Sequence, residues 1–529
     1  MNARSVNVLR CLLAIVVLAC FALSDALATG SLRRGAFGEP ESLEPNQSGV
    51  SSEWAILRDL FEGLTSFGPD GHVIPGVAES WAVSPNGRQY RFALRANLRW
   101  SDGAVLTSDD FVYGFRHTLT PANALARATR LYAIQNAREV HNGKLSPDKL
   151  GVSAPDAHTL VIDLEHPLPS LPILLAGEEG FPLPKHVIER ARANWTRAGT
   201  LVSNGAFMLA ERRARGYIRL TRNPHFHDVG QVALDEVVYL PSDDTGSLVN
   251  RFRAGELDVN GWPGFISARE TALRHELGAA VHASPLTSVR YLRFNAGRAP
   301  FDDVRVRAAL SLAIDRDLLT RRIMIAGERV SLRVVPLGLA DDLAPTRNDL
   351  AEGDAKSRLT KARELLAQSR AWQRLGRPVR LRTPSGNGEE LCLGVIAMWR
   401  QAGINAVLEQ SEIKSMIADL RKGDFDIALT GAQDVPSYEA YLERFRRDAT
   451  NNTGHYASDA FEAALDRAEA IIDPAQRARA LSLAEAVLLR EHPAVPLIQE
   501  VSRALVAMRV HGWIDNPYDI HLSRWLSVK

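Results

Sequence analysis

Between residues 379 and 430, short apolar runs alternate with longer amphipathic stretches. Residues 379–383, 404–409 and 425–430 read as strands, and residues 389–402 and 413–421 read as helices. This β-α-β-α-β rhythm predicts a parallel, doubly wound sheet. Upstream, Tyr90, Phe92 and Leu94 alternate with Gln89, Arg91, Ala93 and Arg95 behind the turn sequence Ser84-Pro85-Asn86-Gly87. Residues 81–95 are therefore expected to form a hairpin. Residues 159–164 and 218–220 are further strand candidates. Asp303 reads as the cap of a helix with Val306, Leu310, Ala313 and Leu318 on one stripe, and Ser458 as the cap of another carrying Phe461, Leu465, Ala468 and Ile472. Asp473-Pro474 opens a third helix, with Gln476 three positions past the cap in a capping-box-like arrangement. The expected fold class is α/β.

The amino terminus follows a different pattern. Arg4 and Arg10 precede an apolar run over residues 11–23, which ends in Ser24-Asp25-Ala26-Leu27-Ala28. A basic start, an apolar centre and an Ala-x-Ala end make a secretory signal peptide, with cleavage expected after Ala28. The run is shorter than the roughly 20 apolar residues that a membrane span needs. The competing reading takes Val17-Leu18-Ala19-Cys20 as a lipoprotein box that leaves Cys20 acylated. Removal of residues 1–28 takes away Arg4, Arg10 and Asp25 and leaves acidic and basic side chains in balance. Cys392 is then the one remaining cysteine, so no internal disulfide is expected.

Composition narrows the class. The chain has 529 residues, 46% hydrophobic and 24% charged, which excludes disordered, collagen-like and disulfide-stapled classes. A chain of this length is expected to divide into two or three lobes. A net charge of +1 implies no broad basic surface, so nucleic acid is not an expected partner.

Catalytic motifs are absent from the sequence. It contains no Gly-x-Ser-x-Gly elbow, no His-Glu-x-x-His, no phosphate-binding Gly-Lys-Ser/Thr loop and no Cys-x-x-Cys. His225-x-His227-Asp228 offers two imidazoles at strand spacing, the minimum for a metal site, but it adjoins Asn223-Pro224 in an expected turn. No metal and no cofactor are expected. Trp54, Trp81, Trp100 and Trp262 could line a pocket or fill a core. Cys392 lies on an apolar helix face with Leu391, Val395 and Ile396, and reads as inert packing.

A set of ordered motifs carries a family resemblance. Glu39-Pro40-Glu41-Ser42-Leu43-Glu44-Pro45 is followed by Arg58-Asp59-Leu60-Phe61-Glu62-Gly63-Leu64, Pro75-Gly76-Val77-Ala78-Glu79-Ser80-Trp81 and Arg99-Trp100-Ser101-Asp102-Gly103. Asp109-Asp110-Phe111-Val112-Tyr113, Asn204-Gly205-Ala206-Phe207, the stretch Pro300-Phe301-Asp302-Asp303 and Asn451-Asn452-Thr453-Gly454-His455-Tyr456 continue in order. Over essentially the whole exported chain the sequence resembles the periplasmic oligopeptide-binding proteins of bacterial ABC importers, the peptide/nickel-binding type of solute-binding protein family 5.

The resemblance implies a three-lobed periplasmic-binding-protein-like fold, with two α/β lobes closing on a cleft and an inserted small lobe. Its expected boundaries are 29–68, 195–284 and 505–529 for the first lobe, 69–194 for the small lobe and 285–504 for the third. It further implies a non-enzymatic, monomeric chain that captures an extended oligopeptide by main-chain bonding and docks on a membrane permease served by an ATPase.

Asp434 is the leading site candidate. It follows the strand at 425–430, and loops at the carboxyl ends of parallel strands bind ligands in open α/β sheets. The resemblance implies that it pairs with the peptide's α-ammonium group, a bond worth about 1.5–3 kcal/mol. From position alone it could equally cap the helix starting near Ser437. Gly431 and Gln433 share its loop. Val50 and Ser51, with Asn260 and Trp262, are candidates on the opposite wall, where the alternative is a solvent loop.

Several positions depart from the family pattern. Leu420 and Leu429 stand where other members carry Arg, Gly388 where they carry His, and Ile413 and Ala432 where they carry Trp. Leucine cannot donate to a carboxylate, and a buried unpaired carboxylate is costly. Anchoring of the peptide's carboxyl end is therefore expected to be lost, or moved to Arg290, Arg293 or Lys414. Two alternatives remain: a non-peptide solute such as a metal chelate, opine or sugar conjugate, and a secreted hydrolase or chaperone on the same scaffold.

Overall fold

The computed structural model of the chain describes residues 30–47, 51–123, 125, 127–261, 263–324, 327–339, 341–343, 346, 353–385, 388–431, 437–449 and 451–529. Strand β1 (Ser31–Phe37) precedes helix α1 (Ser51–Leu60). An excursion follows: β2 (Ala78–Val83), β3 (Gln89–Leu94), helix α2 (Ser108–Leu119), β4 (Val152–Asp156) and β5 (Thr159–Asp163). The chain returns through β6 (Phe207–Arg213), β7 (Tyr217–Arg222), β8 (Glu236–Ser242) and β9 (Val259–Asn260) to the long β10 (Val281–Phe294). Then come α3 (Val304–Leu312), β11 (Val379–Pro384), α4 (Glu389–Gln401), β12 (Ala406–Ser411), α5 (Ile413–Lys422) and β13 (Ile427–Gly431). Helices α6 (Tyr438–Glu443), α7 (Asp459–Glu469) and α8 (Pro474–Glu491) lead to β14 (Ala494–Val506).

An 11-stranded sheet runs through the molecule in the order β12-β11-β13-β10-β14-β9-β1-β8-β7-β6, with a short strand at Arg329–Val330 pairing on β14. The expected parallel rhythm is present where β11 runs parallel to both β12 and β13. It stops there, because β13 meets β10 antiparallel and β10 meets β14 antiparallel. The whole sheet is therefore mixed. The joint is the β10/β14 pair: Val281–Pro285 faces Val501–Leu505, the register breaks between Pro285 and Val289, and pairing resumes from Val289 against Gln499. Every residue of β14 is buried, including Gln499, Glu500, Ser502 and Arg503, which interrupt its apolar run.

The excursion forms its own four-stranded antiparallel sheet, β2-β3-β5-β4, with the expected hairpin between β2 and β3. One hydrophobic core joins it to the first half of the long sheet, for Phe92, Trp100, Phe111 and Leu160 share a cluster with Leu32, Phe207, Leu220 and Tyr239. A second core packs α3 and α4 on β11 and β13 through Val306, Leu310, Val379, Leu391, Cys392 and Trp399. A third sets α6, α7 and α8 against β10 through Tyr291, Tyr438, Leu442, Phe461 and Leu488. Burial of each such side chain contributes about 1.5–3 kcal/mol.

Local caps explain where helices start. The Asp303 carboxylate accepts the Arg305 amide at 2.9 Å, Ser458 Oγ accepts the Phe461 amide at 3.2 Å, and Asp473 accepts the Gln476 amide at 2.8 Å. Two stripes end sooner than the periodicity suggests. Leu318 lies beyond α3 in a separate short helix that Asp315 caps, and it is exposed. Ile472 lies past the end of α7, next to Asp473-Pro474, and is also exposed. Trp100 is fully buried and Trp81 packs 6.2 Å from Phe92, so both belong to cores. Cys392 is a buried free thiol whose pKa burial pushes up to about 12. His227 sits between the carboxylates of Glu62 (2.5 Å) and Asp228 (3.2 Å). Among the described residues no helix is long and apolar enough to cross a membrane.

Candidate functional site

Two adjoining strands build the floor of the site. In the β10/β13 ladder Arg290 faces Gly431, the last residue of β13. A methyl group on Gly431 would stand 3.4 Å from the Val289 carbonyl oxygen, so this end of β13 lies close on β10. Two residues back along β10, Ser288 lines a cavity of about 120 Å³. Phe37 and Trp54 wall it on the β1–α1 side, and Leu286, Tyr518 and Ile520 on the other. The cavity lies beside the β10/β14 joint, between the two halves of the long sheet.

Side chains around this floor are held by charge. Glu500 of β14 accepts from Arg290 Nε at 2.8 Å and from Ser288 Oγ at 2.5 Å. The Arg127 guanidinium lies 5.1 Å over the Trp54 ring and bonds to Glu178 (2.9 Å) and Glu179 (2.7 Å). The Trp54 contact, with the Arg58–Glu178 ion pair at 3.1 Å, fastens α1 to the excursion. The Trp54 indole N–H is buried without an acceptor, which leaves a donor beside the cavity for a ligand oxygen.

A larger cavity, about 970 Å³, opens between the excursion and helices α6 and α7. Ser437, Glu443, Arg444 and Asn451 line one side, and Arg130, Tyr132 and His166 the other. Residues 432–436, between Gly431 at the end of β13 and Ser437 on the wall of this cavity, lie outside the described residues. Burial pushes the Glu443 carboxyl up to about 8, with the neighbouring Glu439 and Glu469 adding to the rise against Arg446 and Arg477. Burial also raises the Tyr291 hydroxyl, but the guanidinium groups of Arg293 and Arg444 outweigh it and bring the group down to about 8. Arg138 of the excursion meets Asp448 at 2.5 Å across the mouth.

The expected site residues fall in different places. Gly431 lies on the floor as described. Asn260 is buried in β9, where its Nδ2 donates to the Gly264 carbonyl at 2.8 Å and its Oδ1 has no partner. Val50, Trp262, Ala432, Gln433 and Asp434 lie outside the described residues. Ser51 opens α1 and Lys414 lies in α5, with both side chains outside the described set.

Apolar packing fills the surroundings of Leu429, Leu420 and Gly388. Leu429 is buried in the second core, and Leu420 packs with Met416, Phe425 and Ala428. Gly388 starts α4 at φ 83°, and a β-carbon there would stand 2.4 Å from Leu429 Cδ2. Leucine at 429 thus occupies the space that a side chain at 388 would need. Arg293 is committed to the Asn451 carbonyl (2.5 Å) and the Tyr291 hydroxyl (3.0 Å), and Arg290 bonds to Glu500.

Reasoning from sequence missed Glu443, Glu500 and Ser288. Glu500 and Ser288 gave no local signal. Glu443 did: Glu439 and Glu443 are like charges four residues apart on one helix, which is destabilising unless something compensates.

With this geometry in hand, known proteins supply the frame. The family model for bacterial extracellular solute-binding proteins, family 5 (middle), matches residues 72–453. The chain belongs to this family. This family 5 protein is 32% identical over 502 residues to the periplasmic oligopeptide-binding protein OppA of Salmonella typhimurium, covering 92% of this chain and 91% of that one. Its fold matches the Escherichia coli murein tripeptide binding protein MppA with a TM-score of 0.85 at 30% identity, over 95% of this chain and 99% of the other. It matches Haemophilus influenzae OppA in complex with the peptide RPPGFSPFR with a TM-score of 0.84 at 27% identity, over 95% and 99% of the two chains. These relatives are named for peptide binding, the first as a periplasmic oligopeptide-binding protein and the second as a murein tripeptide binding protein.

Proposed function

We propose that this protein is the extracytoplasmic solute-binding subunit of an ABC importer, that it captures oligopeptides between the two halves of its long sheet, and that it has no catalysis of its own. The observation that carries the reading is the floor formed by Ser288, Arg290 and Gly431, set beside an interlobe cavity. An extended peptide laid there bonds through its main chain, which is indifferent to side-chain identity. In this reading Asp434 takes the α-ammonium group, Gly431 and Gln433 offer main-chain partners, and residues 50–51 and 260–262 form the opposite wall. The three lobes are 29–68 with 195–284 and 505–529, then 69–194, then 285–504, and the β10/β14 register break is their hinge. Cleavage of the leader after Ala28 releases a monomer to the periplasm, where it docks on a permease served by an ATPase.

The packing of Leu429 against Gly388 favours ligands without a free carboxylate in that corner, either longer peptides or peptides blocked there. Native mass spectrometry of the exported protein, followed by denaturation, tests the reading. Peptides a few residues long are expected in the wild type and absent from Asp434→Ala. A single non-peptide mass would overturn it in favour of a repurposed scaffold, and turnover of a bound peptide would revive the hydrolase alternative.

A further inference from the structure

The 120 Å³ cavity shares Ser288 with the floor of the site, and its other walls are largely apolar: Phe37, Trp54, Leu286, Tyr518 and Ile520. Arg34, Arg58, Asp519 and His521 also reach it, and each is held by the protein itself. Arg34 donates to the His521 carbonyl and to Ser523 Oγ, both at 2.8 Å, and the buried Asp59 carboxylate lies within its field. Arg58 pairs with Glu178 at 3.1 Å. Asp519 accepts from Ser502 Oγ at 2.5 Å and meets His521 Nε2 at 3.2 Å, while the His521 ring stacks on Trp513 at 3.6 Å. The hydroxyls on the wall are used in the same way. Ser288 donates to Glu500 (2.5 Å), Thr287 to the Pro517 carbonyl (3.0 Å) and Tyr239 to Asp59 (2.7 Å). The Trp54 indole N–H differs from all of these, for it is buried and has no acceptor. A donor left in that state costs free energy until an acceptor arrives.

We propose that this cavity selects an uncharged aliphatic side chain of about leucine's size on the bound peptide, and that the Trp54 N–H donates to the main-chain carbonyl oxygen beside that side chain. The inference rests on the oligopeptide reading above and names the side chain that reading leaves open. Main-chain pairing does not distinguish sequences, so selection has to come from a side-chain pocket. An apolar cavity of about 150 Å³ holds benzene, and one of about 120 Å³ is matched to a branched aliphatic group. An alanine methyl would leave the walls without contacts. A lysine ammonium would be stripped of water beside the guanidinium groups of Arg34 and Arg58, with the Asp519 carboxylate already bonded. A glutamate carboxylate would lose its water where both guanidinium groups are already engaged.

Isothermal titration of the full exported protein with trialanine and with tripeptides carrying one leucine, lysine or glutamate at the first, second or third position tests this. At one position leucine is expected to bind at least about tenfold tighter than alanine, and lysine and glutamate at that position are expected to gain nothing. Phe37 is 39% exposed, so Phe37→Ala removes a wall of the cavity without emptying a core. It is expected to shrink the leucine-to-alanine ratio, whatever it does to trialanine. Trp54→Phe keeps a ring and removes the donor, and is expected to weaken leucyl and alanyl peptides several-fold alike. Trialanine binding with no leucine preference at any position would overturn the proposal and leave the peptide reading standing. An equal gain from lysine or glutamate, or a leucine preference that survives Phe37→Ala in full, would also overturn it. Unchanged affinities in Trp54→Phe would overturn the role of the indole. No binding of any of these peptides, and none carried from the cell, would remove both readings.

Discussion

The contact between Gly388 and Leu429 yields a quantitative prediction. Replacement Gly388→Ala places a β-carbon 2.4 Å from Leu429 Cδ2 in a backbone conformation of φ 83°. The left-handed backbone costs about 1–2 kcal/mol for a residue with a side chain. The overlap adds about 1–3 kcal/mol, because Leu429 is packed in the second core and cannot swing away without disturbing its neighbours. The expected loss for Gly388→Ala is therefore about 2–5 kcal/mol. Leu429→Ala alone empties a fully buried site and costs about 2–5 kcal/mol. In the double variant the overlap is gone, so only the backbone contribution of residue 388 remains. The double loss should fall short of the sum of the two single losses by about 1–3 kcal/mol. Urea unfolding of the four proteins, read as midpoints at a common slope, measures this coupling. Additivity within about 0.5 kcal/mol would refute the argument. It would mean that Leu429 does not occupy the space facing residue 388.

Two further outcomes follow from the same geometry. His492 caps α8 at φ 51°, and burial, with help from Arg307 and Arg316, pushes its imidazole down to about 3. Between that value and the ordinary histidine pKa near 6.5 the unfolded chain binds a proton that the folded chain does not, so stability falls as pH drops. This group contributes a slope of about 1.4 kcal/mol per pH unit in that window. His492→Asn, which tolerates the left-handed backbone, should reduce the loss between pH 6 and pH 4 measured by urea unfolding, and an unaltered loss would count against the assignment. The Arg138–Asp448 pair, half-exposed on both sides, should contribute no more than about 0.5 kcal/mol to folding. It bridges the excursion to the segment after α6, so Arg138→Ala should speed release of bound peptide and weaken the salt dependence of that rate in stopped-flow tryptophan fluorescence. An unchanged release rate would show that the pair plays no part in closure.

Local sequence determined the elements whose boundaries depend on near neighbours. The strands and helices between residues 379 and 431 came out within two residues of the periodicity, because each has one face turned to a core and its own cap or turn residues. Asp303, Ser458 and Asp473 were legible as caps because a short acceptor side chain needs only an amide two or three residues on. The family's ordered motifs carried the scaffold. Other features depended on segments far apart in the chain. β10 and β14 pair across some two hundred residues, which turned an expected parallel sheet into a mixed one, and no local pattern states which distant strand will be the neighbour. Glu500 acquired its role only when β14 brought it against Arg290 and Ser288. Glu469 joined Glu439 and Glu443 only when α7 packed beside α6. The absence of a side chain at Gly388 made sense only once Leu429 was seen to fill the space. Periodicity and capping report where a residue stands relative to its near neighbours, whereas a binding site is made of residues that the fold brings together, and their contacts exist only in three dimensions.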